Sequence, residues 1–326
     1  MQPKRNLEID ILRGIGILAI ILIHVNAYFL GDPLAKTLWN YSEFAVQTFV
    51  LISAYIFFKK KTLISLKDFV SYLKKRLVRL VLPYWVFLIF YFLLIAIFDR
   101  QDLIFSNIIR QITLTTTGNE LNWFVLLFLQ FTFLIPLLSY WAQKRKVFFS
   151  LYVLAAFSSS LLLISYNPGL NFKLFMWLPW SLIVVFTWYV AAYEEKKWFY
   201  PTAIFATGSV YFFLSRLLTT IGRSLLFYDE KYPPNLYLLN YGIFATLILF
   251  WLIKKGLFDL GFLRKSLIFL GIHSYSIFFI HFFLVVGFNF WFGLGHLLWW
   301  QMFLIVLSMT LLIQTAINKF LLYLRR

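Results

Sequence analysis

Cysteine is absent from all 326 residues, which excludes disulfide frameworks, thiolate metal sites and thiol nucleophiles. Charge is scarce as well. Asp, Glu, Lys and Arg make up 13% of the chain, about half the roughly 25% usual in soluble proteins. The four histidines are scattered and none has a carboxylate at ligand spacing, so no metal site is expected. The chain has no glycine-rich phosphate loop, no G-x-S-x-G elbow and no H-E-x-x-H helix.

Apolar residues, by contrast, reach 62%, and aromatic ones 22%, with 40 Phe, 19 Tyr and 12 Trp. No soluble core encloses that much apolar surface, so the solvent for much of this chain is lipid. Apolar stretches of about 17–25 residues, the length a helix needs to cross about 30 Å of hydrocarbon, fall near 9–30, 42–58, 77–98, 123–141, 147–165, 174–193, 198–218, 236–253, 266–288 and 297–318. They are continuous rather than alternating, and too long for barrel strands. The expectation is an all-α, polytopic membrane protein of about ten transmembrane helices.

The net charge of +17 would suggest nucleic acid in a soluble protein. Here the cations sit in short clusters between apolar runs and report topology, so no nucleic acid is expected. The N-terminus, 59–79, 144–146, 194–197, 254–265 and the C-terminus hold 22 Lys and Arg. The intervening loops hold six, namely Lys36, Arg100, Arg110, Lys173, Arg223 and Lys231. That alternation predicts both termini in the cytoplasm of a multi-pass cell-membrane protein. The first apolar run is too long for a signal-peptide core and is read as retained. Residues 59–76 carry Leu63, Leu66, Phe69, Val70 and Leu73 among lysines, a spacing that suits a helix lying on the inner surface before the chain turns in at Pro83. The loops 99–122 and 219–235 hold no domain-sized insert, so one membrane domain, 1–326, is expected.

Polar groups at membrane depth are costly and mark function by default. Arg13 and His24 lie eleven residues apart in the first span, about three turns plus 20°, and therefore share a face with about 16 Å of rise between them. Gly14 and Gly16 permit close approach of a neighbouring helix or ligand. The plain alternative is an arginine snorkelling to headgroups and a histidine that only packs. Arg76 and Arg79 stand one turn apart where the third span begins; two guanidiniums on one face suit a phosphate-rich ligand, or simply anchor the inner surface. In the ninth span His273, Ser274, Tyr275, Ser276 and His281 bring several hydrogen-bonding groups into one apolar helix, and His281 is placed to face the same cavity as His24. The serines can also bond to preceding carbonyls. Ser53, the pair Asn122–Trp123 and Arg216 are lesser candidates. Trp123 alone fits an aromatic belt, and Glu43 and Glu120 either meet a polar acceptor or cap helices.

Taken in order, these residues resemble the integral-membrane acyltransferase-3 family, bacterial proteins with a ten-helix domain that O-acylate cell-envelope polysaccharides and other glycoconjugates. Asp10-x-x-Arg13-Gly14 matches its opening D-x-x-R-G, Arg13 and His24 match its R-x10-H pattern, and Phe49 to Tyr55 its F-F-x-x-S-G-[FY] element, with Ala54 standing where the family has Gly. Arg76-x-x-Arg79 with Pro83 is similar to R-x-x-R…P, Asn122-Trp123-Phe124 with Pro136 to W-F-L…P, and Ser276 to His281 to S-x-x-[IY]-x-x-H. The likeness runs from residue 7 to about 285.

The resemblance implies an O-acyltransferase that moves an acyl group, acetyl above all, from cytoplasmic acyl-CoA to a hydroxyl of an extracytoplasmic glycan or lipid-linked sugar. Membrane lipid and an envelope-synthesis complex are its expected surroundings. Such a transfer needs a base for the hydroxyl proton and donors for the oxyanion. Imidazole, with an ordinary pKa of about 6.5, suits the first task, which makes His24 the catalytic base or a transient acyl carrier. Arg13, Arg76 and Arg79 would bind the acyl-CoA phosphates, its thioester arm reaching along the first span towards His24. Ser53, Trp123, Tyr275, Ser276 and His281 are candidates for acceptor or oxyanion contacts. The rival is a polysaccharide exporter or proton-coupled transporter with His24 and His281 as relay groups. It accounts equally for ten helices, but not for arginines in line with an intramembrane His, and no inverted halves are visible.

Overall fold

The computed structural model describes residues 6–60, 66–98, 104–115, 121–166, 175–293 and 296–324. Lys4, Arg5, Lys61, Leu63, Arg100, Glu120, Lys173, Arg325 and Arg326 lie outside the described residues. Thirteen helices and no strand occur among those described. They are α1 Leu7–Asn26, α2 Pro33–Tyr41, α3 Phe44–Lys59, α4 Leu66–Phe98, α5 Phe105–Ile112, α6 Asn122–Lys144 and α7 Lys146–Leu162. The remainder are α8 Trp177–Tyr193, α9 Phe199–Thr220, α10 Leu236–Lys254, α11 Gly261–Ile272, α12 Ser274–Phe292 and α13 Trp299–Tyr323.

Among the described residues seven stretches are long and apolar enough to cross a membrane: 33–59, 67–98, 122–144, 199–220, 236–254, 274–291 and 299–323. The difference from ten apolar runs falls on α1, α7 and α8. Helix α1 has 20 residues but carries Glu8, Asp10 and Arg13 in its first two turns. Helices α7 and α8 are apolar with 17 residues each, about 26 Å at 1.5 Å per residue.

Two details depart from the sequence reading. The described part of the amphipathic stretch, from Leu66 on, and the third span form one continuous helix, α4, with Pro83 in its interior rather than at its entry. Apolar side chains run unbroken on both sides of that proline, and helix on either side carries it through. The ninth run, 266–288, is broken at His273 into α11 and α12.

The described residues group into two compact units, one of 1–46, 86–103 and 249–326, the other of 47–85 and 104–248. In the first unit α1 packs along α11, and also meets α2, α12 and α13. Gly14 and Gly271 make the α1–α11 approach possible. A Cβ on Gly14 would lie 2.2 Å from the Leu267 carbonyl oxygen, and one on Gly271 only 1.8 Å from that of Asp10. Small residues let backbones touch where no side chain fits between them. In the second unit α6, α7 and α8 pack together. Tyr152 donates to Ser181 at 2.7 Å between α7 and α8, and Thr48 and Thr246 pair at 2.7 Å between α3 and α10.

Candidate active site

In the first unit, α1 starts at an Asn6 cap whose side chain accepts from Ile9 N at 3.2 Å. Arg13 leans back one turn and donates to the buried Asp10 carboxylate at 3.5 Å. Asp10 opens the D-x-x-R-G element of the first span, and as an acidic residue in the first turn it also complements the helix dipole. Eleven residues further on, His24 is half-buried. Its Nδ1 lies 2.8 Å from Nε2 of His281 on α12. The two rings stack at 5.1 Å with 24° between their planes.

His281 is fully enclosed. Its other nitrogen, Nδ1, lies 2.8 Å from the Ile277 carbonyl one turn back. Around the pair stand Phe282, edge-on to His24 at 5.3 Å, and Phe278, 5.9 Å from His281. Phe87 on α4 stacks on Phe279 at 5.2 Å and meets Phe282 at 6.2 Å. The two imidazoles thus form a polar island in an aromatic shell, where a hydrogen bond counts for more than it would in water.

Tyr275 and Ser276 lie at the start of α12. The Tyr275 ring packs on Phe279 at 5.0 Å. Ser276 Oγ lies 3.0 Å from the His273 carbonyl and donates to Gln314 Oε1 of α13 at 2.6 Å. Gln314 and Asn318 also reach the His273 ring, at 3.3 and 3.1 Å. These two amides went unnoticed in the sequence, because an isolated Gln or Asn in an apolar run has no distinguishing pattern.

In the second unit, Arg76 Nη2 on α4 donates to Ser53 Oγ on α3. Arg79, one turn further, is exposed, so the two guanidiniums differ in setting although they share a helix. Ala54 is fully buried beside Ser53. Trp123, at the start of α6, is 6% exposed and sits among rings: Trp180 at 5.9 Å, Phe124 at 6.1 Å and, edge-on, Tyr232 at 5.5 Å. The Lys231 ammonium stands 5.4 Å from the Trp123 centroid and 5.5 Å from that of Tyr232. Trp123 therefore belongs to an inner aromatic cluster. In the neighbouring loop Arg223 donates to both Glu230 carboxylate oxygens at 3.0 and 2.9 Å, and Asn235 donates to the same carboxylate. Burial pushes the Glu230 carboxyl above the usual range, while Arg223 and Asn235 pull it back. At the far end of α3, Tyr55 and Lys59 both hold the buried Glu194 carboxylate. Glu43, which belongs to the first unit, is also buried.

Among the described residues no group of three His, Asp or Glu side chains converges to hold a metal ion.

A family model described as an acyltransferase domain matches residues 6–318, nearly the whole chain. The chain belongs to the acyltransferase-3 family. It is a membrane acyltransferase, and the match runs through the residues of both compact units. No curated protein and no solved structure matches the acyltransferase. Arg13, His24, Ser53, Arg76, Arg79, Trp123, Tyr275, Ser276 and His281 all fall inside the matched residues.

Proposed function

We propose that this acyltransferase moves an acyl group, acetyl above all, from cytoplasmic acyl-CoA to a hydroxyl of an extracytoplasmic glycan or lipid-linked sugar of the cell envelope. Ten spans with both termini in the cytoplasm, in the cell membrane, fit the uneven distribution of Lys and Arg along the sequence. The observation that carries the reading is His24: a half-buried imidazole held by a second imidazole, in a chain whose family transfers acyl groups.

His24 is the base that takes the acceptor's hydroxyl proton as the thioester is attacked. Arg13, Arg76 and Arg79 take the donor's phosphates, a task suited to planar, permanently charged guanidiniums. Ser53 accepts from Arg76 and so aims that side chain, and its own hydroxyl hydrogen stays available for an acceptor or oxyanion contact. Ser276 is tied to Gln314 in the same supporting sense, and Trp123 stiffens the aromatic cluster around Lys231. Tyr275 keeps the role of oxyanion or acceptor donor.

The test is turnover of thioester by purified protein in lipid nanodiscs supplied with acetyl-CoA and a sugar acceptor. Free thiol released in step with an acetylated glycan, seen by mass, is the expected result. Thiol release at the protein-free rate with no acylated product overturns the reading.

A further inference from the structure

The two imidazoles fix each other's hydrogens, and with them the atom that does the chemistry. A backbone carbonyl only accepts. The Nδ1 of His281, 2.8 Å from the Ile277 oxygen, therefore carries a hydrogen. His281 is fully enclosed, with rings about it, and a charge buried without a counter-charge is too costly to hold at rest. A neutral ring has one hydrogen only, so His281 Nε2 presents a lone pair to His24 at 2.8 Å. His24 must then donate from Nδ1, which leaves its own lone pair on Nε2.

We propose that His281 is a positioning residue that holds His24 as its Nδ1–H tautomer, making His24 Nε2 the basic atom and the Ile277 carbonyl the closed end of the proton path. This rests on the reading of His24 as the base. The acceptor's O–H proton passes to His24 Nε2 as its oxygen forms the new C–O bond to the thioester carbonyl. The C–S bond then breaks with its electron pair on sulfur, and the thiolate takes the proton back from Nε2 as free thiol. Between these steps His24 is an imidazolium whose Nδ1–H still points at His281 Nε2. Should the hydrogen cross, His281 carries hydrogens on both nitrogens and goes no further, because a carbonyl oxygen has no proton to hand on. One thiol forms per ester, and no proton crosses the membrane through this pair. A proton-coupled transporter needs the opposite, a relay open at both ends.

The measurement is 15N spectroscopy of the full-length protein with labelled histidine in nanodiscs, read beside the kinetics of two variants. With four histidines in the chain, assignment by single substitution is direct. The unsubstituted protein is expected to show His24 and His281 protonated on Nδ1 and bare on Nε2. His281→Leu, which offers no acceptor, lowers kcat by roughly 10²–10⁴-fold, as a histidine base does when its tautomer is no longer held, with KM for the donor little changed. His281→Gln, whose side-chain carbonyl can accept from His24 Nδ1, recovers a large part of that loss. A His24 ring protonated on Nε2 in the resting protein overturns the proposal whether or not either variant folds, since that reading needs no variant at position 281; folded Leu and Gln variants of equal rate overturn it too. If His24→Ala transfers acyl groups at the full rate, it is the assignment of the base that fails; if His24→Ala is inactive and His24 rests with Nε2–H, only the tautomer assignment fails.

Discussion

Gly271 on α11 meets the Asp10 carbonyl of α1 so closely that a Cβ would stand 1.8 Å from the oxygen. The contact lies within the same helix pair as Gly14 against Leu267. It sets the path of α1, the helix that carries Arg13 and His24. Because both obstacles are backbone, no rotamer change relieves them.

Gly14→Ala and Gly271→Ala are accordingly expected to destabilise the protein by about 1–3 kcal/mol each. The shift is visible as a lower Tm in detergent. Gly31→Ala, where nothing lies within 4 Å of the added carbon, is the matched control and changes Tm little. Equal effects at all three positions would remove the close α1–α11 contact from the account.

Arg76→Ala and Arg79→Ala are each expected to weaken binding of the donor by on the order of tenfold, the loss of one charge-assisted contact. Arg76→Lys does not restore it, since an ammonium lacks the planar fork. Ser53→Ala, which removes the acceptor that aims Arg76, costs less than Arg76→Ala. Calorimetric titration with coenzyme A reads all four. Unchanged affinity in both Arg→Ala variants contradicts the phosphate role.

The loop between α9 and α10 supplies a pH signature. Burial is the largest influence on Glu230 and raises its carboxyl, against the pull of Arg223 and Asn235. A raised folded-state value means the folded protein binds the proton more tightly than the unfolded chain, whose glutamates titrate near about 4.3. Stability from this group is therefore full below that value and falls as pH rises through the folded one. Measured as the difference in Tm between the parent protein and Glu230→Gln, the parent loses ground from about pH 4 upward. A flat difference across the range contradicts the buried setting of this carboxylate.

Much of this was legible in the sequence, and the misses have specific causes. Each of the ten apolar runs contains helix, because length and composition alone set that outcome in lipid. The break at His273 was hidden because hydropathy does not change there. What surrounds the break is the reach of Gln314 and Asn318, 41 and 45 residues away, and no local pattern carries such a contact. The short helices α2 and α5 were missed in loops where polar residues mask the period, although Asp32 caps α2 in the ordinary way. The shared face of Arg13 and His24 follows from helical geometry. The partner of His24 does not: His281 is 257 residues away, and its tautomer depends on a carbonyl that no side-chain pattern reveals.

Gln314→Leu tests that long-range support. It strips Ser276 of its acceptor at 2.6 Å and removes one contact to His273, with an expected cost of about 1–3 kcal/mol. Thermal unfolding of the variant in nanodiscs checks it, and an unchanged Tm would mean that the contacts between α12 and α13 contribute little.

The most direct test of the central claim is the rate of thiol release and acylated product by His24→Ala in nanodiscs, with acetyl-CoA and a sugar acceptor present. The protein's Tm is recorded alongside to establish that it is folded. With His24 as the base, the folded variant loses acyl transfer by roughly 10²-fold or more. A folded His24→Ala protein that transfers at the parent's rate contradicts it.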